Sequence, residues 1–245
     1  MKEFIYGRNP VYETLRAKRR QVFGLQVAEG AQEKGRLSEI LQLAKERRIP
    51  VQRVPRARLD KLSDSAQGIA AEVDGYPYSG VVDIVGNAQQ GGEPLFVLVL
   101  DSIQNPQNLG TLIRTAESIG VHGVVIPGHR AAEVTPAVVS ASAGASEHML
   151  IAQANLAQAL DELKEAGAWV VGLDEDPSSQ NPDQVSLTGA LAVVVGSEGE
   201  GLRPLVRQKC DYLLRLPMHG KIESLNAAVA GSIVLYLASL ARNRS

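Results

Sequence analysis

The sequence predicts an α/β fold in which a small α/β module precedes a larger domain built on a parallel sheet. The later part of the chain contains a series of unbroken apolar runs, which are typical of strands buried on both faces of a parallel sheet. Helical patterns lie between these runs, as expected of alternating β and α units. The composition points to an aliphatic core, since 44% of the 245 residues are hydrophobic but only 4% are aromatic.

Residues 1–75 show a short alternation of helical and strand patterns. Asn9 and Pro10 are the residue types that favour a helix cap and a first helical position, which predicts a helix running to about Arg19. Further strands are predicted at 22–28, 51–54 and 69–73, with helices at about 37–44 and 59–62. These elements predict a compact domain with its own small core.

Residues 76–94 are rich in glycine, proline and polar side chains, which predicts a linker between two domains. The second domain is expected over residues 95–245. Within it, the Ala- and Ser-rich stretch 137–146 predicts a tightly packed helix or turn. The predicted strands are 95–100, 121–126, 169–173, 191–195 and 213–216, and the predicted helices are 109–119, 156–166, 202–209 and a long apolar helix that follows Ser224.

Several classes of protein are disfavoured by composition. No apolar run reaches the roughly 18–20 residues that span a bilayer, and the first residues lack the apolar stretch of a signal peptide. The single cysteine, Cys210, excludes an internal disulfide and a cysteine-cluster metal site. The four histidines show no metal-ligand spacing. We therefore expect a cytoplasmic protein without a metal or a membrane contact, in which Cys210 is buried and inert.

The net charge of −2 argues against a nucleic-acid partner only when it is averaged over the chain. Residues 1–75 carry 15 Lys and Arg against 10 Asp and Glu, whereas residues 76–245 carry 10 against 17. Such asymmetry between halves indicates a nucleic-acid contact, although solvated helix ends explain clustered cations equally well. The clustered cations are Arg16, Lys18, Arg19, Arg20, Lys45, Arg47, Arg48, Arg53, Arg56 and Arg58.

Three segments follow predicted strands, at the carboxyl edge where open parallel sheets bind ligands. The first, 101–115, contains Asn108, which is expected to cap the next helix, and Arg114. An arginine one to two turns into that helix can reach back to clamp a phosphate, although a plain surface arginine fits the same position. This segment is therefore a candidate anion-binding site.

The second segment, Gly196-Ser-Glu198-Gly-Glu200-Gly-Leu, directly follows the apolar run 191–195. Glycines between a strand and a helix bring backbone close to a ligand. The spacing is neither the dinucleotide fingerprint nor a P-loop. Two carboxylates would repel a pyrophosphate but tolerate a cationic or neutral adenosine-bearing cofactor, and a plain glycine-rich turn is the alternative.

The third segment, LPMHGKIESLN at 216–226, is a loop marked by Pro217 and Gly220. Ser224 is expected to cap the long helix that follows it. That helix carries a broader apolar face than a lone surface helix needs. Core packing and a homodimer contact explain this face equally well.

Taken together and in this order, the three segments resemble the SpoU branch of the SPOUT superfamily of RNA methyltransferases. The resemblance spans about residues 95–240 and rests on N-P-x-N-x-G-x-x-x-R-T, G-S-E-G-E-G-L and L-P-M-x-G-x-x-x-S-L-N. The first domain is similar to the L30e-like RNA-substrate-binding domain of many members, through YGRNPVYETL and AQGIAAEV. Ala66 stands where such relatives usually have histidine before Gln-Gly.

This resemblance implies an S-adenosylmethionine-dependent RNA ribose 2′-O-methyltransferase with a C-terminal trefoil knot, one of the rare exceptions to unknotted topology. Members act as homodimers with the active site near the subunit interface, and their substrate is RNA, not DNA. The matched cofactor positions are Gly196, Leu216 and Leu225. The matched positions around the reacting ribose are Asn108, Arg114, Glu198, Ser224 and Asn226.

The substrate that the resemblance favours is a guanosine of 23S ribosomal RNA, because members of this architecture and length include such an enzyme. Two alternatives stay open. One is a transfer RNA ribose methyltransferase, and the other is a non-catalytic RNA-binding ribosome-assembly factor with a decayed cofactor site. Other nucleotide-dependent α/β enzymes are disfavoured because no phosphate-binding fingerprint is present.

Overall fold

The computed structural model describes residues 2–129, 131–197, 199–222 and 224–243. The chain forms two compact units, one comprising Met1–Pro77 with Glu133–His148 and the other Tyr78–Ala132 with Met149–Ser245. Within the described residues no helix is both long and apolar enough to cross a membrane.

The first unit is a four-stranded mixed sheet with strand order β1-β4-β2-β3, in which only β2 and β3 run parallel. The predicted bounds of β2, β3 and β4 are confirmed. Strand β1 was not predicted, because Ile5 is the only one of its four residues that is buried and so short a strand has no readable periodicity. The elements are β1 (Glu3–Tyr6), α1 (Arg8–Ala17), β2 (Val22–Ala28), α2 (Arg36–Glu46), β3 (Val51–Val54), α3 (Arg56–Asp60) and β4 (Ile69–Val73).

The predicted cap of α1 at Asn9 was wrong. Helix α1 begins at Arg8, and its cap position is Gly7, which has φ 94°. A Cβ atom at Gly7 would also lie 3.3 Å from the backbone oxygen of Ser65. Because φ is positive at this position, glycine is required there. The helix therefore begins directly after Gly7, one residue before Asn9.

A buried ion pair lies inside this unit. The side chain of Arg20 is fully buried, with Nη1 3.1 Å from Glu3 Oε1 and Nε 3.2 Å from Glu147 Oε2. Nη1 also donates to the backbone oxygen of Asp74, and the guanidinium lies 5.0 Å from the centroid of the Tyr76 ring. Burial raises the pKa of Glu147, and the charge of Arg20 opposes that rise. Arg20 is thus part of the interior and is not a member of a surface cluster.

The predicted linker and domain bounds differ from the observed units. The chain passes from one unit to the other at residues 77–78, but helix α4 (Val81–Gly91) occupies most of 76–94. Its apolar residues 81, 84, 85 and 88 follow helical spacing, a signal that the surrounding glycines and glutamines hid. The segment Glu133–His148 belongs to the first unit. It contains α6 (Pro136–Ala141) and a 3₁₀ turn (Ala145–Glu147), which confirms the predicted helix or turn at 137–146.

The second unit is a six-stranded sheet with order β10-β8-β9-β5-β6-β7, and every recorded pairing is parallel. This confirms the predicted parallel α/β domain. Strand β7 was not predicted because its apolar signal is only two residues long. The strands are β5 (Phe96–Leu100), β6 (Gly123–Pro127), β7 (Ile151–Ala154), β8 (Trp169–Leu173), β9 (Leu191–Val195) and β10 (Tyr212–Leu214), and the other helices are α5 (Pro106–Ser118), α7 (Leu156–Glu165), α8 (Pro204–Lys209) and α9 (Ala227–Arg242).

Helix α9 packs along α5 and leaves one apolar stripe open. Thr115 and Ser232 hydroxyls meet at 2.9 Å, and a Cβ atom at Gly231 would lie 2.7 Å from the Leu112 side chain, so glycine permits the close approach. The opposite side is apolar and exposed in this chain. The members of that stripe are Leu225, Val229, Ile233, Tyr236 and Leu240.

Replacing Arg20 by methionine tests the buried ion pair. Because Glu147 would lose its partner in a dry interior, Arg20→Met is expected to lower the free energy of unfolding by about 3 kcal/mol in urea denaturation. Arg16→Met is the matched control, since Arg16 forms an exposed pair with Glu13 and such pairs contribute at most about 1 kcal/mol. Equal losses in the two variants would contradict the buried-pair account.

Candidate functional site

A cavity of about 340 Å³ lies at the carboxyl edge of the six-stranded sheet. It forms where β8, β9 and β10 end, because the carboxyl ends of parallel strands meet at one edge. Four of the predicted site residues, Gly196, Leu216, Ser224 and Leu225, line it. The described residues that line it are Leu173, Asp174, Glu175, Val195, Gly196, Ser197, Gly199, Glu200, Gly201, Leu214, Arg215, Leu216, Met218, Ser224, Leu225, Ala227 and Ala230.

One wall of this cavity, which we call the glycine loop (196–201), folds back on itself. The Ser197 N–H donates to Gly201 O at 3.2 Å, and the Gly201 N–H donates to Ser197 O at 3.1 Å. A Cβ atom at Gly196 would lie 2.3 Å from the carbonyl carbon and oxygen of Gly201, and Gly201 itself has φ 65°. Both positions therefore require glycine. Glu198, a predicted site residue, lies outside the described residues.

The cavity lining is acidic. Asp174 and Glu175 follow β8, and Glu200 comes from the glycine loop, whereas Arg215 is the one cation among the described lining residues. Arg207 holds Asp174 from outside the cavity, with Nε 3.3 Å from Oδ2. Such a lining favours a cationic or neutral ligand and disfavours a phosphate. The prediction missed Asp174 and Glu175, although their place directly after an apolar strand is a readable signal.

A neighbouring aspartate, Asp176, is held in its ionised form on the surface. Hydrogen bonds from Ser178 are the main cause, and together with Arg207 they lower the pKa of Asp176 to about 2. Arg207 Nη2 lies 2.6 Å from Asp176 Oδ2. Arg207 thereby joins helix α8 to the segment that follows β8.

An amide pair links two of the predicted motifs. Asn226 Nδ2 donates to Asn108 Oδ1 at 3.2 Å, which joins the start of α9 to the first turn of α5. Asn226 Oδ1 also accepts from the backbone N–H of Ala228 and of Val229. Asn226, and not Ser224, therefore caps α9, so that the predicted cap at Ser224 was wrong.

The predicted cap of α5 at Asn108 was also wrong. Asn105 Oδ1 accepts from the Gln107 N–H at 2.8 Å, and Pro106 takes the first helical position. Proline is favoured there because it needs no hydrogen-bond partner for an N–H. Asn108 is therefore already inside the helix, where its amide oxygen accepts from Asn226.

A second cavity of about 440 Å³ adjoins the first. The two share Ser197, Gly199 and Glu200, so the glycine loop separates them. Predicted residue Asn108 lines this second cavity. Its other lining residues are Ser102, Ile103, Gln104, Asn105 and Arg203.

Arg114 is not brought into either cavity. It is exposed on α5, and its backbone oxygen accepts a hydrogen bond from Ser118 Oγ at 2.7 Å. Among the described residues its guanidinium has no ion-pair partner. Of the predicted site residues in the described part of the chain, Arg114 alone stands apart from the cavity walls and from the Asn108–Asn226 pair.

The buried aspartate Asp101 was missed by sequence reasoning as a site residue. Its side chain is fully buried directly after β5, where Oδ2 accepts from the Arg203 N–H at 2.8 Å and Oδ1 from Arg203 Nε at 2.6 Å. The pair ties the end of β5 to the residues that follow the glycine loop. A carboxylate directly after an unbroken apolar strand was the available signal.

The remaining candidates are structural. Cys210 is half-buried, and burial raises the pKa of its thiol to about 12, which fits the predicted inert role. His122 Nδ1 accepts from the Phe96 N–H at 3.0 Å, and Nε2 lies 3.2 Å from Glu93 Oε2. In the described ranges no cluster of three His, Cys, Asp or Glu side chains is arranged to hold a metal ion.

Two family models match this chain over both units. The model of the SpoU rRNA methylase family matches residues 95–236. The model described as RNA 2′-O ribose methyltransferase substrate binding matches residues 4–79. The chain therefore belongs to the SpoU rRNA methylase family of RNA methyltransferases, and residues 95–236 form its methylase domain.

The relatives agree with that assignment. The Bacillus subtilis protein YacO, which carries the name of a TrmH-family tRNA/rRNA methyltransferase, is 42% identical over 98% of this chain and 96% of its own length. The SpoU methyltransferase AviRb from Streptomyces viridochromogenes, solved with AdoMet, shows a TM-score of 0.81 at 24% identity over 100% of this chain and 92% of its own. The AdoMet-bound rRNA methyltransferase from Sinorhizobium meliloti shows 0.79 at 24% identity over 97% and 86%. These two structures establish the fold.

Replacing Gly196 by alanine tests the close approach in the glycine loop. Because the new methyl group would overlap the Gly201 carbonyl, Gly196→Ala is expected to lower the free energy of unfolding by about 1–3 kcal/mol in thermal denaturation. Gly199→Ala is the matched control in the same loop, since a Cβ atom there meets nothing within 4 Å. A wild-type melting temperature for Gly196→Ala would show that the loop does not close in this way.

Proposed function

We propose that the protein is an S-adenosylmethionine-dependent RNA ribose 2′-O-methyltransferase that acts in the cytoplasm on a guanosine of 23S ribosomal RNA. The observation that carries the proposal is the pair of adjoining cavities at the carboxyl edge of the sheet, which share the glycine loop as a wall. One cavity suits a cofactor and the other an acceptor, and Ser197, Gly199 and Glu200 line both of them.

The first cavity fits the cofactor. Gly196, Leu216 and Leu225 would hold it, with backbone at Gly196 brought close and two leucine side chains supplying apolar contact. The acidic residues Asp174 and Glu200 suit its positive sulfonium and amino groups. When bound, the cofactor supplies an electrophilic methyl group. AdoMet is present in the S. viridochromogenes and S. meliloti structures, which supports this choice.

The second cavity fits the ribose and its neighbours. Asn108 lines it and is held by Asn226, so their amides would position the ribose. Ser224, which lines the cofactor cavity, and Glu198 are also proposed to act on the ribose. A ribose 2′-hydroxyl is a poor nucleophile and needs an in-line approach and loss of its proton. Because an arginine stays protonated at neutral pH, we assign Arg114 an electrostatic role beside the RNA phosphate, one that stabilises the oxyanion while solvent water takes the proton. A general-base role for Arg114 is the alternative.

A second copy of the chain is proposed to complete the site. The exposed stripe of α9 from Leu225 to Leu240 is apolar along four helical turns, which supports a homodimer contact. Helix α5, which carries Arg114, packs beside α9. As the family resemblance implies, Arg114 is proposed to act near the subunit interface. The glycine loop and the 215–226 segment are proposed to form the trefoil knot.

The first unit is proposed to bind RNA through phosphate contacts. Its exposed cations can supply sequence-independent attraction that weakens with salt. Arg20 is excluded because it is buried, Arg47 donates to the backbone oxygen of Leu15, and Arg53 pairs with Glu33. The exposed cations without a described ion-pair partner include Lys18, Lys45, Arg48, Arg58 and Lys61.

Specificity in this unit would rest on RNA shape more than on stacking, since few aromatic rings are present. Ala66, which stands in place of the histidine of many relatives, is fully buried beside Ala28 and Val54. Its neighbour Gln67 is exposed and accepts from the Arg8 N–H. An RNA contact in this region would therefore involve Gln67.

The two alternative functions, an RNA-binding assembly factor and a transfer RNA methyltransferase, differ in the cofactor binding and the RNA methylation expected of them. A non-catalytic assembly factor would show no binding of S-adenosylmethionine in calorimetry, whereas the intact glycine loop and its cavity favour binding. A transfer RNA enzyme would bind the cofactor and methylate transfer RNA. The presence of a separate substrate-binding unit at residues 4–79 supports the ribosomal substrate.

Replacing Arg114 by alanine tests the catalytic assignment. Loss of the guanidinium should lower methyl transfer by about 100- to 1,000-fold, in the range seen when one charge-stabilising donor is removed. Cofactor affinity in calorimetry and the melting temperature should not change, because Arg114 is exposed and lines no cavity. Arg114→Lys keeps the charge without the bidentate fork, so its rate of methyl transfer is expected to lie between those of the wild type and Arg114→Ala. Near-normal methylation by Arg114→Ala would contradict the assignment.

A further inference from the structure

Arg203 is a cation at the second cavity that the proposed mechanism leaves without a role. It precedes α8, and among the described lining residues of that cavity it is the one cation. Its side chain is 46% exposed, whereas the side chain of its partner Asp101 is 0% exposed. A buried carboxylate therefore holds a guanidinium whose far end reaches solvent at the cavity.

The contact with Asp101 fixes which part of the guanidinium is available. Asp101 Oδ1 accepts from Arg203 Nε at 2.6 Å, and Oδ2 accepts from the Arg203 backbone N–H at 2.8 Å. Ser102 Oγ adds a third contact, 3.2 Å from Asp101 Oδ1. Because Nε is used, the two terminal amino groups are left without a hydrogen-bond partner among the described residues. They form the paired donors that suit a tetrahedral oxyanion.

The rest of the second cavity suits a nucleotide backbone. Its walls carry neutral hydrogen-bonding side chains, Gln104, Asn105 and Asn108 with Ser102, and Glu200 is its one carboxylate among the described residues. The cofactor cavity, by contrast, is lined by Asp174, Glu175 and Glu200. The difference in charge directs an anion to the second cavity and away from the first.

The geometry points to Arg203 as the residue that binds a backbone phosphate of the acceptor RNA in the second cavity, with Asp101 as its positioning residue. This inference rests on the proposed function, whose acceptor site it deepens. A phosphate at Arg203 places the adjoining ribose along the glycine loop, next to the cofactor cavity. Arg203 thus contributes affinity and register, and no proton transfer is assigned to it.

The test uses the full-length protein, S-adenosylmethionine and protein-free 23S ribosomal RNA from a strain that lacks the gene. For Arg203→Ala we expect kcat/KM to fall about 10-fold or more, since one charge-assisted hydrogen-bonding pair is lost. The slope of log(kcat/KM) against log[KCl] should become shallower by about one, the signature of one lost phosphate contact. Cofactor affinity in calorimetry should stay at the wild-type value.

Lys209→Ala is the matched control, because it removes one positive charge at the other end of α8, from a residue that pairs with Asp161 and lines no described cavity. It should leave the salt slope unchanged. Asp101→Asn is expected to change the slope in the same direction as Arg203→Ala, and the double variant should equal the stronger single variant, since the two residues act as one unit.

A salt slope for Arg203→Ala equal to that of the wild type, in a preparation in which the wild type methylates RNA, would overturn the inference. So would an equal change in Lys209→Ala, since that would reflect net charge alone. A wild-type protein that binds cofactor but transfers no methyl group overturns the proposed function and, with it, this inference. The wild-type control therefore separates the two failures.

Discussion

The close approach of Gly196 to Gly201 is the constraint on which the rest of the site depends. No side chain can stand at Gly196, because its Cβ atom would lie 2.3 Å from the Gly201 carbonyl, and the two-way hydrogen bonding between Ser197 and Gly201 holds the loop closed. A closed loop leaves space on both of its sides. The cofactor cavity and the second cavity are the two spaces it separates, so a single backbone turn forms a wall of both.

Two polar contacts near this loop join elements that are far apart in the chain. Asp101 holds Arg203, which lies two residues beyond the loop, and Asn226 joins the start of α9 to Asn108 on α5. Both contacts connect the ends of different elements at one edge of the sheet. The strands have ended there, so backbone hydrogen bonds between strands do not hold these elements together. The two cavities differ in chemistry: among the described lining residues, three carboxylates and one guanidinium line the first, whereas one carboxylate, one guanidinium and three amides line the second.

The sequence predicts best what depends on burial. Strand 191–195 has the predicted bounds because a fully buried strand is an unbroken apolar run, and strand 169–173 has them with three buried residues at its centre, although Trp169 is exposed. It predicts poorly what depends on partners distant in the chain: Arg20 is indistinguishable from a surface cation until Glu147 is placed beside it. The segments that line the cofactor cavity follow strands and could be placed at this edge from their order, whereas the individual residues Gly196, Leu216 and Leu225 came from the family resemblance. Arg114 shares a motif with Asn108, yet spacing along a helix does not tell which wall a side chain reaches.

The central claim is that this fold transfers a methyl group to a ribose 2′-oxygen of ribosomal RNA, and one measurement tests it most directly. It is the mapping of 2′-O-methyl sites in the ribosomal and transfer RNA of a strain that lacks the gene, repeated after the purified protein and S-adenosylmethionine have been added to that RNA. The account predicts that one 2′-O-methylguanosine disappears from 23S ribosomal RNA in the deletion strain and returns after incubation. An unchanged map of 23S ribosomal RNA, or a site lost and restored only in transfer RNA, would contradict it.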